Sequence, residues 1–373
     1  MTRSPLPLRP STLDRYVVFE LLGPFFFGVA AFTGIMLASN VLFELINLMV
    51  HVGIPISVVL EVIGLKLPEM VFYTFPMSML LAALLAFGRL SGESEITAMR
   101  AQGLSIFRIA APVLLVAALV SGLTIALDEY VVPGATWQAK KVLYEAQHHE
   151  RMPSQRDNVF YDEMENGRLA RSFYARHFDG RRMEGVVVQE FEGDRLVRII
   201  QAKDAFWAGN GWVFDQGTLY QMAPDGDFRY VLHFDRQIIH LKPSLMQLSS
   251  DNREPMEMNL RQLGRHIHLL EEAGHSGGEI HDLEVQWQQK LSIPFASLVF
   301  ALVGTPLGLR NHRSSNSLSL GLSILIIFVY YVAMFIFTAM GQTGAIQPAV
   351  AAWLPNILTG GLGLLLLIRA SRS

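Results

Sequence analysis

The stretch SSNSLSLGLSILIIFVYYVAMFIFTAMGQTGAIQPAVAAWLPNILTGGLGLLLLI, residues 314–368, contains no Asp, Glu, Lys or Arg. A bilayer core is crossed by about 20 apolar helical residues, so this run is long enough to cross twice. Gly341-Gln342-Thr343-Gly344-Ala345-Ile346-Gln347-Pro348 supplies the glycine and proline punctuation of a turn between the two crossings. Upstream, Leu291 to Leu309 is a further uncharged run, and Leu21 to Phe43, Met70 to Gly88 and Ile109 to Leu127 are three more. The pattern predicts six membrane-spanning helices, three on each side of a long polar middle. Composition agrees: 51% of the 373 residues are hydrophobic and 17% charged, against roughly 25% charged in an average soluble chain.

A mean hydropathy of +0.32 averages the polar middle with far more apolar ends, which excludes a disordered chain and an ordinary soluble enzyme. Net charge of −3 offers no polyanion-binding surface, and the absence of cysteine excludes disulfides, thiolate metal sites and cysteine nucleophiles. The first apolar run is too long for a cleaved signal peptide and lacks a small-residue cleavage site. Orientation follows from Lys and Arg in the short loops. Arg3, Arg9 and Arg15 precede span one; Arg89, Arg100 and Arg108 flank the loop between spans two and three; Arg310 and Arg313 follow span four; Arg369 and Arg372 end the chain. The opposite connections, Asn47 to Ser57 and Gly341 to Pro348, carry neither residue. The expectation is cytoplasmic termini and an extracytoplasmic middle region.

That middle opens with Tyr130 to Glu150, readable as a short amphipathic continuation of span three, and then alternates in the manner of strands. Gly185 to Phe191 and Arg195 to Ile200 flank Glu192-Gly193-Asp194; Phe206-Trp207 and Trp212-Val213-Phe214 flank Gly209-Asn210-Gly211; Pro224-Asp225-Gly226-Asp227 precedes Phe228 to Leu232. Hairpins at about ten-residue spacing fit a β-sandwich, a jelly roll or an open β-solenoid. Val186, Val188, Trp207, Trp212 and Phe214 are the expected interior side chains. Leu260, Leu263, Ile267 and Leu270 then recur at helical spacing, with Gly274 as a stop before the chain re-enters the membrane.

Independent catalysis finds no support. No Gly-Lys pair exists to end a phosphate-cradling loop, and neither His-Glu-x-x-His nor Gly-x-Ser-x-Gly occurs. His266 and His268 are two apart on a helix and do not share a face. His148-His149 is no better a metal site, and Lys290 before span four reads as an interfacial anchor. Gly304 and Gly308, four apart in span four, permit a close helix approach.

Between spans two and three lies Arg89-Leu90-Ser91-Gly92-Glu93-Ser94-Glu95-Ile96-Thr97-Ala98-Met99-Arg100-Ala101-Gln102-Gly103. It reads as a short helix capped by Ser91 or Ser94, with Glu93 and Glu95 at the positive end of the dipole and Gly103 at a left-handed stop. Ile96 and Met99 set an apolar spot beside the acidic one, the format of a helix pressed into a partner's groove.

Ser94 to Gly103, together with Leu67-Pro68-Glu69-Met70, Phe75-Pro76-Met77-Ser78-Met79, Gln289-Lys290-Leu291-Ser292-Ile293-Pro294-Phe295 and Trp353-Leu354-Pro355-Asn356, resembles the LptF/LptG family of lipopolysaccharide-export ABC transporter permeases along essentially the whole chain. The resemblance implies an α-helical membrane protein of six transmembrane helices with an all-β, jellyroll-like periplasmic domain inserted between spans three and four. Residues 1–128 form the N-terminal membrane half, with spans near 17–43, 62–88 and 106–128 and a coupling helix at 91–103. Residues 129–285 form the β-domain with flanking helices, and 286–373 the C-terminal half with spans near 287–309, 317–340 and 348–369.

The resemblance further implies a non-catalytic subunit of the bacterial inner membrane. It would pair with a homologous permease, as a hetero- or homodimer, and with a dimeric ABC ATPase that itself binds ATP and magnesium. Lipopolysaccharide would pass through the β-domain to periplasmic bridge proteins bearing jellyrolls. The family's coupling acid matches Glu95, with Glu93, Ile96, Met99, Arg100 and Gly103 around it. Spans one and five would form the lateral gate, with Phe25, Phe32, Met36, Glu44, Tyr330, Tyr331 and Phe335 along the lipid path. Some members carry basic residues in span one; none lies between Leu21 and Phe43 here. Glu93-Ser94-Glu95-Ile96 leans toward the F subunit and Leu13-Asp14-Arg15-Tyr16 toward G. Two other classes remain open on the residues alone: a membrane anchor that scaffolds envelope proteins, and an ion-coupled carrier using Lys66 and Glu69.

Overall fold

A computed structural model describes residues 11–148, 152, 157–165, 168–179, 182–208, 211–224, 226–239, 253–275, 277–310 and 316–372. Arg3, Arg9, Arg313, His149-Glu150, Gly209-Asn210 and Asp225, all used in the sequence reading, lie outside them. The chain divides into two compact units: Met1–Gln147 with Val285–Ser373, and His148–Glu284.

Among the described residues, six helices are long and apolar enough to cross a membrane. Helices are the open-chain solution in hydrocarbon because each satisfies its own backbone groups. Span one is α1 (Thr12–Met36), a π-helical segment (Leu37–Leu42) and α2 (Phe43–Val52) in unbroken sequence. Span two is α3 (Ile56–Gly92), followed by a short α4 (Glu95–Ala101). Span three is α5 (Ile106–Tyr130), continued by α6 (Val132–His148). In the second unit, among the described residues, α7 (Leu260–Glu272) follows the strands. The remaining spans are α8 (Gly278–Arg310), α9 (Asn316–Gln342) and α10 (Pro348–Arg372). The 37 residues of α3 rise about 55 Å at 1.5 Å each, well beyond a hydrocarbon core of about 30 Å. Spans one to four therefore overrun the bounds that the uncharged stretches suggest.

Span two is the axis of the first unit, 78% buried over its most apolar window, with span four next at 67%; spans one and five are only 22% and 17% buried. The two central helices meet where the sequence places its small residues. A Cβ on Gly304 would sit 2.8 Å from the Ala83 Cβ, and one on Gly308 would sit 2.7 Å from the Phe87 Cβ. Gly363 of span six gives the same closeness to Val303, and Gly28 of span one to Ser78. The Ser91 hydroxyl donates to the Leu309 carbonyl at 2.9 Å, tying the ends of spans two and four together. Around this axis a core runs through Val17, Leu21 and Phe25 of span one, Ile109, Val113 and Ala117 of span three, and Leu367 of span six. The π segment adds a residue to its turn and so rotates everything beyond it. Leu45 of α2 is thereby buried against Ile54, Val59, Val62 and Ala139.

The second unit contains one six-stranded antiparallel sheet paired in chain order: β1 (Asp157–Glu165), β2 (Arg168–Phe178), β3 (Arg182–Glu192), β4 (Arg195–Trp207), β5 (Trp212–Met222) and β6 (Phe228–Ile239). Gly193 sits at the β3–β4 turn with φ 64°, as its position in Glu192-Gly193-Asp194 requires. Strict alternation breaks at one row. Buried positions follow a spacing of two, then three, then two through Trp212, Phe214, Gly217 (partly buried) and Leu219. The same step of three separates Ala202 from Ala205, Met183 from Val186 and Ala175 from Phe178. The registers on either side place Asn158, Gly185 and Gln216 in that row, on β1, β3 and β5. All three have left-handed backbone, φ 55°, 63° and 51°. The sheet is thus creased along a line across its strands, and apolar side chains from both sides of the crease share one core.

Helix α7 buries Leu263, Ile267 and Leu270 as its spacing predicts, begins at a reciprocal Asn259–Gln262 capping box, and stops at Gly274, φ 89°. Leu270 and Ala273 pack with Tyr161 of β1. Burial pushes the Tyr161 phenol well above the ordinary tyrosine range.

Two outcomes check these accounts. Gly304→Ala lowers the thermal midpoint of the purified protein by the equivalent of about 1–3 kcal/mol of overpacking, and adding Ala83→Gly recovers part of the loss; a neutral Gly304→Ala would contradict the close approach. At the crease, a left-handed non-glycine residue costs roughly 1–2 kcal/mol. Gln216→Gly therefore stabilises the full chain against unfolding and Gln216→Val destabilises it, as followed by tryptophan fluorescence.

Candidate functional site

The loop between spans two and three is built from tight local chemistry. Helix α3 ends at Gly92, and Ser94 takes a left-handed conformation, φ 62°, at the start of α4 without making a side-chain cap. The expected serine cap is therefore absent: Ser94 makes no side-chain cap, and the Ser91 hydroxyl donates to the Leu309 carbonyl instead. At the other end the expected stop is present. Gly103 has φ 85°, its amide donates to the Arg100 carbonyl at 2.9 Å and the Leu104 amide to that of Met99 at 3.2 Å, a Schellman closure.

The apolar face of α4 does not look outward. Ile96 is buried in the core of the first unit, and Met99 packs on the same core. What faces solvent is Thr97, Ala98, Arg100 and Ala101, with Glu93, Gln102 and Gly103 at the ends. Glu95 is half-buried between the two faces, and both its carboxylate oxygens accept from the Tyr16 hydroxyl, at 2.9 and 2.8 Å. Two ion pairs flank this bond: Arg89 with Glu20 at 2.8 Å, and Arg108 with Asp14, where a second guanidinium nitrogen reaches Asp14 at 3.0 Å. Sequence reading named Glu95, and named Asp14 and Tyr16 only within Leu13-Asp14-Arg15-Tyr16, without pairing them. The three bonded pairs join residues 69 to 94 positions apart.

The residues expected along a lipid path divide. Phe335 is 75% exposed, Glu44 is exposed and Met36 half-buried. Phe25 packs against Phe75 with ring centroids 5.6 Å apart, and Phe32 joins the cluster of Leu80, Phe300 and Tyr330. Tyr330 is buried and donates to Asn356 Oδ1 at 2.8 Å, while the Asn356 amide donates to the Ser292 carbonyl at 2.6 Å, so that one chain of bonds joins spans five, six and four. Tyr331 donates to the Tyr73 carbonyl at 3.3 Å. In the sheet, Val186, Val188, Trp212 and Phe214 are buried and Trp207 stands at the rim against Trp212, ring centroids 5.8 Å apart.

Lys290 overturns its reading as an interfacial anchor. It is 4% exposed, and its Nζ donates to Asp128 at 3.1 and 3.3 Å, with Asp128 3% exposed. The signal was in the sequence: Asp128 follows the uncharged run of span three, and Lys290 precedes that of span four. Opposite charges at matching ends of two spans meet when those spans are antiparallel neighbours. Lys66 and Glu69 pair with each other at 2.9 Å along one helix face.

The family model for the lipopolysaccharide export system permease LptF/LptG matches residues 15–369. The lipopolysaccharide export system permease protein LptF of Escherichia coli strain K12 is 24% identical over 323 residues, covering 84% of this chain and 83% of its own, and LptF of Shigella flexneri matches to the same extent. LptG of Haemophilus influenzae is 22% identical over 358 residues, covering 93% of this chain and 96% of its own.

Removing one partner of a buried ion pair strands the other, at about 3–5 kcal/mol, whereas replacing both with apolar residues is close to neutral. Lys290→Met accordingly lowers the yield and thermal midpoint of the membrane-extracted protein, and Asp128→Leu in the same chain restores both. Equal behaviour of the single and double variants would show that the pair contributes nothing.

Proposed function

We propose that this chain, which belongs to the lipopolysaccharide export system permease family LptF/LptG, is the lipid-handling membrane subunit of an ABC-type exporter. It is a multi-pass inner-membrane protein and a non-catalytic transport component. Both termini and the α4 loop face the cytoplasm, as the arginine distribution favours, and the β-unit faces the periplasm. A separate dimeric ATPase binds ATP and magnesium and docks on the α4 loop, where Glu95 pairs with a basic residue. A homologous permease lies against spans one and five, the least buried of the six spans. Lipopolysaccharide leaves the membrane between these gates and passes along the β-unit to periplasmic bridge proteins with jellyroll domains.

The observation that carries this reading is the α4 loop itself. Ile96 fixes the helix to its own bundle, leaving a polar, small-residue face that holds an acid at a defined position. Such a face suits a protein partner that supplies a cation, and the chain has no Gly-Lys phosphate loop of its own, which favours hydrolysis by that partner. Because Ile96 and Met99 are used inside, the docking energy falls on Glu95, Arg100 and close contact with Thr97, Ala98 and Ala101.

Glu95→Arg tests the proposal. Tagged protein extracted in mild detergent from its native membranes is expected to bring down an ABC ATPase with hydrolytic activity. The variant is expected to lose or uncouple it while keeping a normal thermal midpoint. Unchanged binding and transport would overturn the role of Glu95. Recovery of envelope proteins with no ATPase would instead establish a scaffold.

A further inference from the structure

The Tyr16–Glu95 hydrogen bond has no part in docking as just described, yet it occupies both oxygens of the proposed docking acid. Resting on that proposal, we infer that Tyr16 is a positioning residue: its hydroxyl holds the Glu95 carboxylate at a fixed place and carries displacement of α4 into span one.

Three observations converge on this. First, among the described residues the Glu95 carboxylate is held from outside its own helix, α4, which is only seven residues long and has no side-chain cap at Ser94. A glutamate has three rotatable bonds, and the Tyr16 hydroxyl reaches it from another helix. Second, the bond is one of the part-buried ties between span one and this loop, together with the Arg108–Asp14 pair, whereas the Arg89–Glu20 pair is exposed, and exposed pairs contribute little. The phenol–carboxylate bond is part-buried, with one ionised partner, which strengthens it relative to a neutral bond. Third, its far end is anchored. Val17 is buried next to Tyr16 in the core shared with Ile96, while most of the remaining surface of span one is open. A shift of α4 therefore either moves the foot of span one or breaks this bond. No chemistry is needed at Tyr16; it acts through Glu95.

The experiment uses the permease purified with its co-extracted ATPase, in four forms: wild type, Tyr16→Phe, Glu95→Gln and the double variant. Tyr130→Phe, at an 82% exposed position of span three, controls for removal of any tyrosine hydroxyl. Phe keeps the ring and its packing, and thermal midpoints verify folding. The readout is lipopolysaccharide released per ATP hydrolysed, which a merely structural loss would not change. Tyr16→Phe is expected to lower this ratio by more than about tenfold, the order of one hydrogen bond to a charged group. The double variant is expected to fall no further than Glu95→Gln alone. A Tyr16→Phe ratio equal to that of Tyr130→Phe, or losses that multiply in the double variant, would overturn the role of Tyr16 and leave the docking proposal standing. A wild-type preparation without any ATPase would overturn both.

Discussion

Spans two and four approach until backbone meets side chain, and the rest of the membrane unit is arranged around that contact. Hydrocarbon supplies no hydrophobic drive between helices, so association depends on close packing and on interhelical hydrogen bonds. Gly304 and Gly308 remove the two Cβ atoms that would hold Ala83 and Phe87 away. Once the axes are close, Ser91 can reach the Leu309 carbonyl. Span four then offers Val303 to Gly363 of span six and Ser292 to Asn356. Spans one and five receive no such contact from span four's glycines, and they are the two that remain largely uncovered.

The buried polar groups inside this unit bond in two ways: Ser78, Thr124 and Thr305 donate to carbonyls of their own helices, and others are answered from another span. Asp128 answers Lys290, Asn356 answers Tyr330, and Thr33 lies 3.0 Å from Thr74. These bonds join residues 26 to 162 positions apart. They set which helices are neighbours, a matter on which apolar side chains are nearly indifferent. They also account for the fate of the aromatic residues that the family resemblance marks as lipid contacts. Tyr330 and Tyr331 spend their hydroxyls on helix partners, while Phe335, which has no hydroxyl to satisfy, stands in the open.

The six spans were legible in the sequence because charge is costly in hydrocarbon and its absence marks them directly. Their ends were not. Helix α3 starts at Ile56 rather than near residue 62, its first turns packed on Leu45 and Ala139, and α1 starts at Thr12 rather than near 17, from a Ser11–Asp14 capping box. Ile96 and Met99 were read as an outward face because their spacing defines a stripe but not its direction. Lys290 was misread and the pairing of Tyr16 missed for a related reason: each is explained only by a residue on another helix. In the β-unit, glycine turns announced the hairpins, and four of the five expected interior residues are buried. The crease was hidden by the assumption of period two, although Trp212, Phe214 and Leu219 carry the extra step openly.

That crease limits how the β-unit can change. Its step of three falls at the same row in neighbouring strands, so the strands are not independent pieces of chain. An insertion or deletion within one strand would leave its neighbours' step where it was and turn half of that strand inside out. Changes in length are therefore confined to the hairpin tips, such as the turn between Glu192 and Arg195. The strand interiors must drift by substitution alone, with left-handed backbone retained on every second strand.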